Sequence, residues 1–162
     1  MPAQYDMQRD RFLLGEGSRV FFKAKEAVRQ WRMFDIDWIR LYRPGTPATA
    51  RDTVAILVGG FGVWIVNTCR IVYVIDEPRR YGFAYGTLVH HALAGEERFT
   101  VEWRDDNSVW YEVLHFSREK HPLAKIAYPL VRRLKKIFRR DSGTAMQRAS
   151  AVVDTSSLWT LR

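Results

Sequence analysis

Two titratable residues, Glu97 and His115, are spaced so that they could form an acid–base pair across a predicted β-hairpin. If Trp103 and Val109 face each other across the turn, antiparallel pairing places Glu97 directly opposite His115, on the apolar face of the hairpin. A carboxylate beside an imidazole in a half-buried site is suited to general acid–base catalysis. The alternative interpretation is a structural ion pair or a solvated strand end, since a one-residue bulge would destroy the pairing.

A second candidate site lies on the predicted strand of residues 81–88, where large and small side chains alternate. The large side chains share one face, whereas the opposite face carries only Gly82, Ala84 and Gly86. A strand with one bare face lets another group approach its backbone closely, and that group is a packed helix, another side chain or a ligand. The residues predicted to line a ligand slot here are Trp64, Tyr73, Gly82, Ala84, Tyr85, Gly86 and Tyr111.

The sequence predicts neither a metal site nor a cofactor. Its histidines stand at positions 90, 91, 115 and 121, without a cluster of cysteines or carboxylates at ligand spacing. The glycine run of residues 59–62 lacks the nucleotide-binding fingerprint and has no helix after it, so it indicates a turn. The single cysteine, Cys69, lies between two apolar runs and is expected to be a small buried or turn residue rather than a reactive thiol.

Length and composition indicate one folded domain, since the chain has 162 residues of which 14% are aromatic. We expect this domain to cover residues 1–150, followed by a flexible tail over residues 151–162. The single cysteine and the absence of a signal-peptide pattern at the N-terminus favour a cytoplasmic location. The apolar run of residues 54–66 is too short to span a membrane and predicts two strands joined by a turn.

The positive charge is concentrated in one segment. Residues 118–148 contain ten basic and two acidic residues, so they account for the entire net charge of +8. A basic amphipathic helix can lie on an anionic membrane or face nucleic acid, and we consider nucleic acid the less favoured partner. The alternative is a solvated face of a helix whose apolar stripe packs in the core. The residues of the candidate anionic-partner site are Arg132, Arg133, Lys135, Lys136, Arg139 and Arg140.

The predicted elements define an α+β fold. Helical periodicity from residue 20 to residue 31 follows a lead-in strand, and a run of strands with short turns then forms an antiparallel meander. A long helix closes the chain, and Pro129 is expected to kink or break it, so that its main part runs from about residue 129 to residue 149. This order favours a curved antiparallel sheet wrapped around the C-terminal helix, with a cavity between them. The predicted strands are residues 4–14, 38–43, 53–58, 61–66, 70–76, 81–88, 98–103 and 109–117.

Several separate blocks of the sequence resemble the DUF1990 (UPF0548) family. They are Arg70-Ile71-Val72-Tyr73-Val74-Ile75-Asp76-Glu77-Pro78, Tyr81-Gly82-Phe83-Ala84-Tyr85-Gly86-Thr87-Leu88, Gly95-Glu96-Glu97-Arg98-Phe99, Val101-Glu102-Trp103, Val109-Trp110-Tyr111-Glu112, His121-Pro122-Leu123-Ala124, Tyr128-Pro129 and Asp141-Ser142. The resemblance covers about residues 4–149 and implies a START-like, or Bet v 1-like, helix-grip fold. It implies no catalytic residues.

Three functional hypotheses follow from these features. The first is a module that binds a small hydrophobic or lipid-like molecule in an internal pocket, and it rests mainly on the implied fold. The second is a pocket enzyme that uses Glu97 and His115 for acid–base chemistry. The third is a non-catalytic interaction domain whose basic C-terminal helix meets an anionic membrane or nucleic acid. The sequence does not decide between an enzyme and a binding module, and it specifies no oligomeric state.

Overall fold

A computed structural model of the chain describes residues 6–42, 48–60, 62–87, 93–119 and 124–152. Its strands form one curved antiparallel sheet of seven strands in the order β1-β7-β6-β5-β4-β3-β2, which confirms the predicted α+β class. The strands are β1 (Asp6–Glu16), β2 (Ile39–Leu41), β3 (Thr53–Gly60), β4 (Val63–Glu77), β5 (Arg80–Thr87), β6 (Leu93–Trp103) and β7 (Ser108–Glu119). The helices are α1 (Gly17–Arg29), a 3₁₀ turn (Arg32–Phe34) and α2 (Ala124–Ser150).

The β6–β7 hairpin has the register that the sequence predicts. Trp103 pairs with Val109, and the same alignment continues without a bulge to Glu97 and His115. Phe99, Val101, Val109, Tyr111 and Val113 alternate along the two strands and are buried against the helices on the concave side of the sheet, while Thr100 and Leu114 are buried on the opposite face. The hairpin is therefore the rigid element that fixes the relative position of the two titratable residues.

Strand β4 departs from the prediction in two ways. Residues 61–66 and 70–76 were expected to form separate strands, but β4 runs as one strand of 15 residues because its middle part pairs continuously with β3. The pairing with β5 then shifts between Ile71 and Tyr73, which marks a bulge at Val72. A bulge inserts one residue and reverses the inside–outside alternation beyond it, so Tyr73 points to the convex face.

Helix α1 and the 3₁₀ turn pack across one end of the concave face. The predicted apolar stripe of α1 is buried, with Phe21 and Val28 among its members. Just after the helix, Trp31 adopts a left-handed backbone conformation and its ring centroid lies 4.3 Å from that of Phe83. This turn redirects the chain so that Phe34 enters the space between the sheet and α2.

Helix α2 is continuous from Ala124, so the helix does not break at Pro129, while the alternative of a kink there stays a prediction. Pro129 lies near the start of the helix and removes only one backbone hydrogen bond, which the remaining turns tolerate. The second half of α2 rests on the sheet, where the hydroxyl groups of Tyr111 and Ser142 are 2.7 Å apart. An ion pair between Arg139 and Asp10 ties the helix to β1.

Among the residues that the structure describes, no helix is long and apolar enough to cross a membrane. Of the predicted tail, Ala151 and Val152 are described, and the carbonyl oxygen of Ala151 accepts a hydrogen bond from Lys23 Nζ. Residues 153–162 lie outside the described part of the chain.

Candidate functional site

A cavity of about 280 Å³ lies between the concave face of the sheet, the 3₁₀ turn and α2. Its walls are mostly apolar and come from six of the seven strands or their flanking segments and from α2. The apolar lining residues are Phe34, Trp38, Ile39, Ile56, Val58, Leu134 and Phe138. The lining residues with polar or sulfur-containing side chains are Asn67, Cys69, Tyr85, Thr87, Glu96, Glu97, His115 and Lys135. The arrangement is that of a small-molecule site, in which apolar walls surround a few placed polar groups.

Four of these side chains form a connected polar network at one end of the cavity. The hydroxyl group of Tyr85 donates a hydrogen bond of 2.6 Å to Glu97 Oε2. His115 Nδ1 lies 3.8 Å from Glu97 Oε1, and Lys135 Nζ lies 2.8 Å from His115 Nε2. A lysine ammonium only donates, so Nε2 accepts from it and the neutral imidazole carries its proton on Nδ1, facing the carboxylate.

The sheet register brings three members of this network together. Tyr85 pairs with Glu97 between β5 and β6, and Glu97 pairs with His115 between β6 and β7. The three side chains therefore stand in a row across adjacent strands, all on the concave face. Helix α2 adds the fourth, Lys135, from the opposite side of the cavity.

Burial controls the protonation of this network. Removal from water raises the pKa of Glu97 above its usual range, although the Tyr85 hydrogen bond and the nearby Lys135 and Arg139 cations oppose the shift. Burial followed by the Glu97 charge raises the pKa of Tyr85 well above its usual range and that of Cys69 to about 12. Burial thus disfavours the charged forms of Glu97, Tyr85 and Cys69.

The bare strand face predicted as a ligand slot points away from this cavity. Gly82, Ala84 and Gly86 alternate with the buried aromatic residues of β5 and so face the convex side. A Cβ atom at Gly82 would meet the carbonyl oxygen of Phe99 and the side chain of Thr100. The small residues therefore accommodate the neighbouring strands and the side chain of Thr100, which is one of the three predicted alternatives, and ligand contacts at this strand stay a prediction.

Of the aromatic residues predicted for the slot, Tyr85 lines the cavity and the others lie elsewhere. Trp64 is on the convex face, where its indole packs over Gly59 and under the guanidinium group of Arg40. Tyr73 is on the same face because of the β4 bulge. Tyr111 is fully buried beneath α2 and bonded to Ser142, outside the cavity lining.

The six residues of the candidate anionic-partner site do not share one face of α2. Lys135 enters the cavity and Arg139 is buried against Asp10, so neither is available to an external surface. The remaining four residues, Arg132, Arg133, Lys136 and Arg140, are exposed. The helix face that packs on the sheet therefore includes two of the six candidate residues, and an anionic partner for the four exposed residues stays a prediction.

Sequence analysis missed Lys135, Phe34 and Phe138 as cavity residues. A helical stripe at positions 135, 138, 142 and 146 was the available signal, since these spacings return to one face. Lys135 within that stripe and the adjacent Arg139 favoured a surface interpretation instead. Phe34 had no periodic signal, because a 3₁₀ turn rather than a regular helix or strand positions it.

A curved antiparallel sheet that closes around a C-terminal helix and leaves a cavity between them defines a helix-grip protein of the START-like, Bet v 1-like type. The chain belongs to the DUF1990 family, a domain of unknown function, whose match covers residues 1–145. This confirms the family resemblance carried by the sequence blocks.

Relatives at the sequence level are UPF0548 proteins. That of Dictyostelium discoideum is 36% identical over 159 residues, covering 91% of this chain and 74% of the relative. That of Deinococcus radiodurans is 40% identical over 136 residues, covering 76% of this chain and 67% of the relative.

Solved structures share the fold at low sequence identity. The hypothetical protein jhp0584 from Helicobacter pylori has a TM-score of 0.61 at 12% identity and covers 91% of this chain and 88% of its own. A norcoclaurine synthase point mutant from Thalictrum flavum, in complex with a transition-state analogue, has a TM-score of 0.57 at 9% identity with coverages of 91% and 96%. Major latex-like protein 151 from Panax ginseng has a TM-score of 0.55 at 11% identity with coverages of 91% and 99%.

Proposed function

We propose that this protein binds a small, mainly hydrophobic or lipid-like molecule in the cavity between the sheet and α2. The observation that carries the proposal is an apolar-walled cavity of about 280 Å³ that ends in a buried polar network. Its volume is near the lower end of the range for small-molecule sites, which favours a compact ligand over a long lipid. The complex of norcoclaurine synthase with a transition-state analogue supports the use of this fold for small molecules.

The polar network indicates which chemical group the ligand carries at the end that contacts it. Lys135 contributes a positive charge, and burial favours the neutral form of Glu97, so this end of the cavity favours a hydrogen-bond acceptor. A carboxylate or carbonyl group would accept hydrogen bonds here while the apolar part lies between Phe34, Val58 and the rest of the walls. The ligand class is therefore an apolar molecule with one acceptor group at its end.

Binding can be tested with a fluorescent anilinonaphthalene sulfonate probe and displacement by medium-chain fatty acids. We expect Lys135→Met to weaken fatty acid binding about tenfold, the loss of one charge-assisted hydrogen bond, with less effect on the matching alcohols. The matched control is Lys136→Met, which changes an exposed neighbour on the same helix and should leave both affinities unchanged.

A second variant tests the cavity itself. Val58→Trp places a large side chain where Val58 lines the wall and should abolish probe binding without loss of the fold, measured by circular dichroism. Unchanged displacement curves for both Lys135→Met and Val58→Trp would reject this cavity as the binding site.

A second candidate function is an enzyme that performs acid–base chemistry within the same cavity. The raised pKa of Glu97 favours it, because a carboxyl group that titrates closer to neutral pH can both take up and release a proton. His115 stands 3.8 Å from that carboxylate and could relay the proton. Once a bound molecule is identified, Glu97→Gln and His115→Asn should abolish its conversion while retaining its binding, and unimpaired conversion would exclude this mechanism.

A third candidate, an interaction domain that uses the basic helix alone, has less support because two of its six candidate residues face inward. We also propose that residues 1–150 form a single domain. We further propose a cytoplasmic location, which the single buried cysteine, Cys69, supports.

A further inference from the structure

The end of the β3–β4 hairpin carries an apolar surface that nothing in the described part of the chain covers. Four consecutive residues of β4, Val63, Trp64, Ile65 and Val66, are 63%, 40%, 63% and 59% exposed. Strand alternation places Val63 and Ile65 on the concave face and the other two on the convex face. Both faces of the hairpin end are therefore apolar, which is unusual for a surface that meets only water.

This surface lies at the opening of the cavity. Ile65 pairs with Val58, and Val58 lines the cavity wall. Across from the hairpin, Leu134 of α2 also lines the cavity and is 43% exposed. Exposed apolar side chains therefore border the cavity both on the hairpin and on α2.

Basic groups flank the apolar surface. Arg133 is exposed on α2 about 100° around the helix from Leu134, whereas Arg132 and Lys136 are exposed on the side opposite Leu134. On the hairpin side, the guanidinium group of Arg40 lies 4.6 Å from the centre of the Trp64 ring. Apolar side chains bordered by arginines and by a partly exposed tryptophan match the boundary between the acyl chains and anionic headgroups of a bilayer.

We propose that the end of the β3–β4 hairpin and the exposed side of α2 around Leu134 dock together on an anionic lipid bilayer, with the cavity opening toward the membrane. The hairpin end enters the headgroup region, and the basic side chains meet the lipid phosphates. The apolar ligand then exchanges between bilayer and cavity without crossing water. The docking surface stands on its own observations, whereas the exchange step rests on the proposed ligand-binding function.

Docking is tested by co-sedimentation of the full chain with phosphatidylcholine vesicles, with and without phosphatidylserine. We expect binding only with phosphatidylserine and its loss at about 0.5 M salt, where surface charges are screened. The double variant Ile65→Ser/Val66→Ser should reduce vesicle binding about tenfold or more, because it removes apolar groups that enter the interface. The control is Val72→Ser, which changes an exposed valine (49%) on the same strand, outside the hairpin end.

Two outcomes overturn the proposal. One is the absence of vesicle binding by the wild-type chain at low salt. The other is self-association by sedimentation velocity that the Ile65→Ser/Val66→Ser variant abolishes, since a second copy would then cover the hairpin. Binding of the fluorescent probe in the absence of vesicles tests the proposed ligand-binding function separately. We expect the Ile65→Ser/Val66→Ser variant to retain probe binding. A wild-type chain that binds vesicles but not the probe would reject the cavity as a binding site and leave membrane docking intact.

Discussion

Glu97 is the residue that connects the parts of the polar network. It accepts the Tyr85 hydrogen bond and faces His115, which in turn accepts from Lys135. A carboxylate in this position is disfavoured by burial and favoured by the nearby cations, and burial is the larger effect. The balance leaves Glu97 with a proton affinity higher than that of an exposed glutamate.

The raised pKa of Glu97 makes the stability of the fold depend on pH. A carboxyl group whose pKa is higher in the folded state stabilises the fold below its unfolded-state pKa, and the contribution is lost as pH rises through the folded-state pKa. Glu97→Gln remains neutral, so we expect its melting temperature to rise by a few degrees relative to that of the wild type as pH increases above the unfolded-state pKa of glutamate, about 4.3.

The control for this measurement is Glu102→Gln, which changes an exposed glutamate on the same strand. Its melting temperature relative to wild type should show no comparable rise with pH. A Glu97→Gln difference that stays constant, or that falls as pH rises, would contradict the assignment of burial as the dominant influence.

Cys69 should be nearly inert toward alkylation in the folded state. Burial, followed by the Glu97 charge, raises the pKa of its thiol to about 12, so little thiolate is present at pH 8. We expect iodoacetamide to react with the folded protein at least about 100-fold more slowly than with the denatured chain, followed by intact-mass spectrometry. Equal rates would mean that Cys69 is open to solvent and that this wall of the cavity is misplaced.

At the scale of elements, the β6–β7 hairpin was predictable and strand β4 was not. The hairpin register follows from its short polar turn and from period-two alternation, and this was sufficient to bring Glu97 opposite His115. The β4 bulge at Val72 has no comparable signal in the sequence, because the flanking residues are β-branched or aromatic on both sides. Tyr73 was therefore assigned to the wrong face.

The buried face of helix α2 contains polar residues that the sequence pattern did not predict to be buried. Its periodicity predicted a long amphipathic helix, but the buried face also contains Lys135, Arg139 and Ser142, each of which has a polar partner. Partners on distant strands cannot be inferred from helical spacing alone, so polar residues within a buried stripe resemble a solvent-exposed face. This is why the cavity lysine was initially grouped with the exposed bases.

Gly143 marks a close approach of α2 to β1. A Cβ atom here would overlap the ring of Phe12, which packs beside Tyr111 with ring centroids 6.2 Å apart. We expect Gly143→Ala to destabilise the fold by about 1–2 kcal/mol in chemical denaturation, although alanine is the better helix former by about 1 kcal/mol.

Two comparisons make the Gly143 prediction specific. Thr144→Ala, at the exposed neighbouring position, should change stability by less than about 0.5 kcal/mol. Phe12→Leu should recover part of the loss when combined with Gly143→Ala, because a smaller side chain makes room for the methyl group. A stabilising Gly143→Ala substitution would mean that the helix packs further from β1.

At the scale of the whole molecule, the cavity and the proposed docking surface lie next to each other. The sheet curves around α2 so that the polar network lies deep inside, while the apolar hairpin end and Leu134 border the opening. A ligand entering with its acceptor group first would reach Lys135 and His115 and leave its apolar part toward the opening. The family fold thus provides the cavity, and the particular residues of this chain determine its polarity.

Native mass spectrometry of the protein purified without detergent tests the central claim, ligand binding in this cavity, most directly. We predict a reproducible mass excess that disappears on denaturation, is absent from Val58→Trp, and on extraction corresponds to a compact apolar molecule with a terminal acceptor group. A bare mass, together with no shift in melting temperature across a panel of fatty acids, apolar alcohols and aromatic carbonyl compounds, would contradict the account.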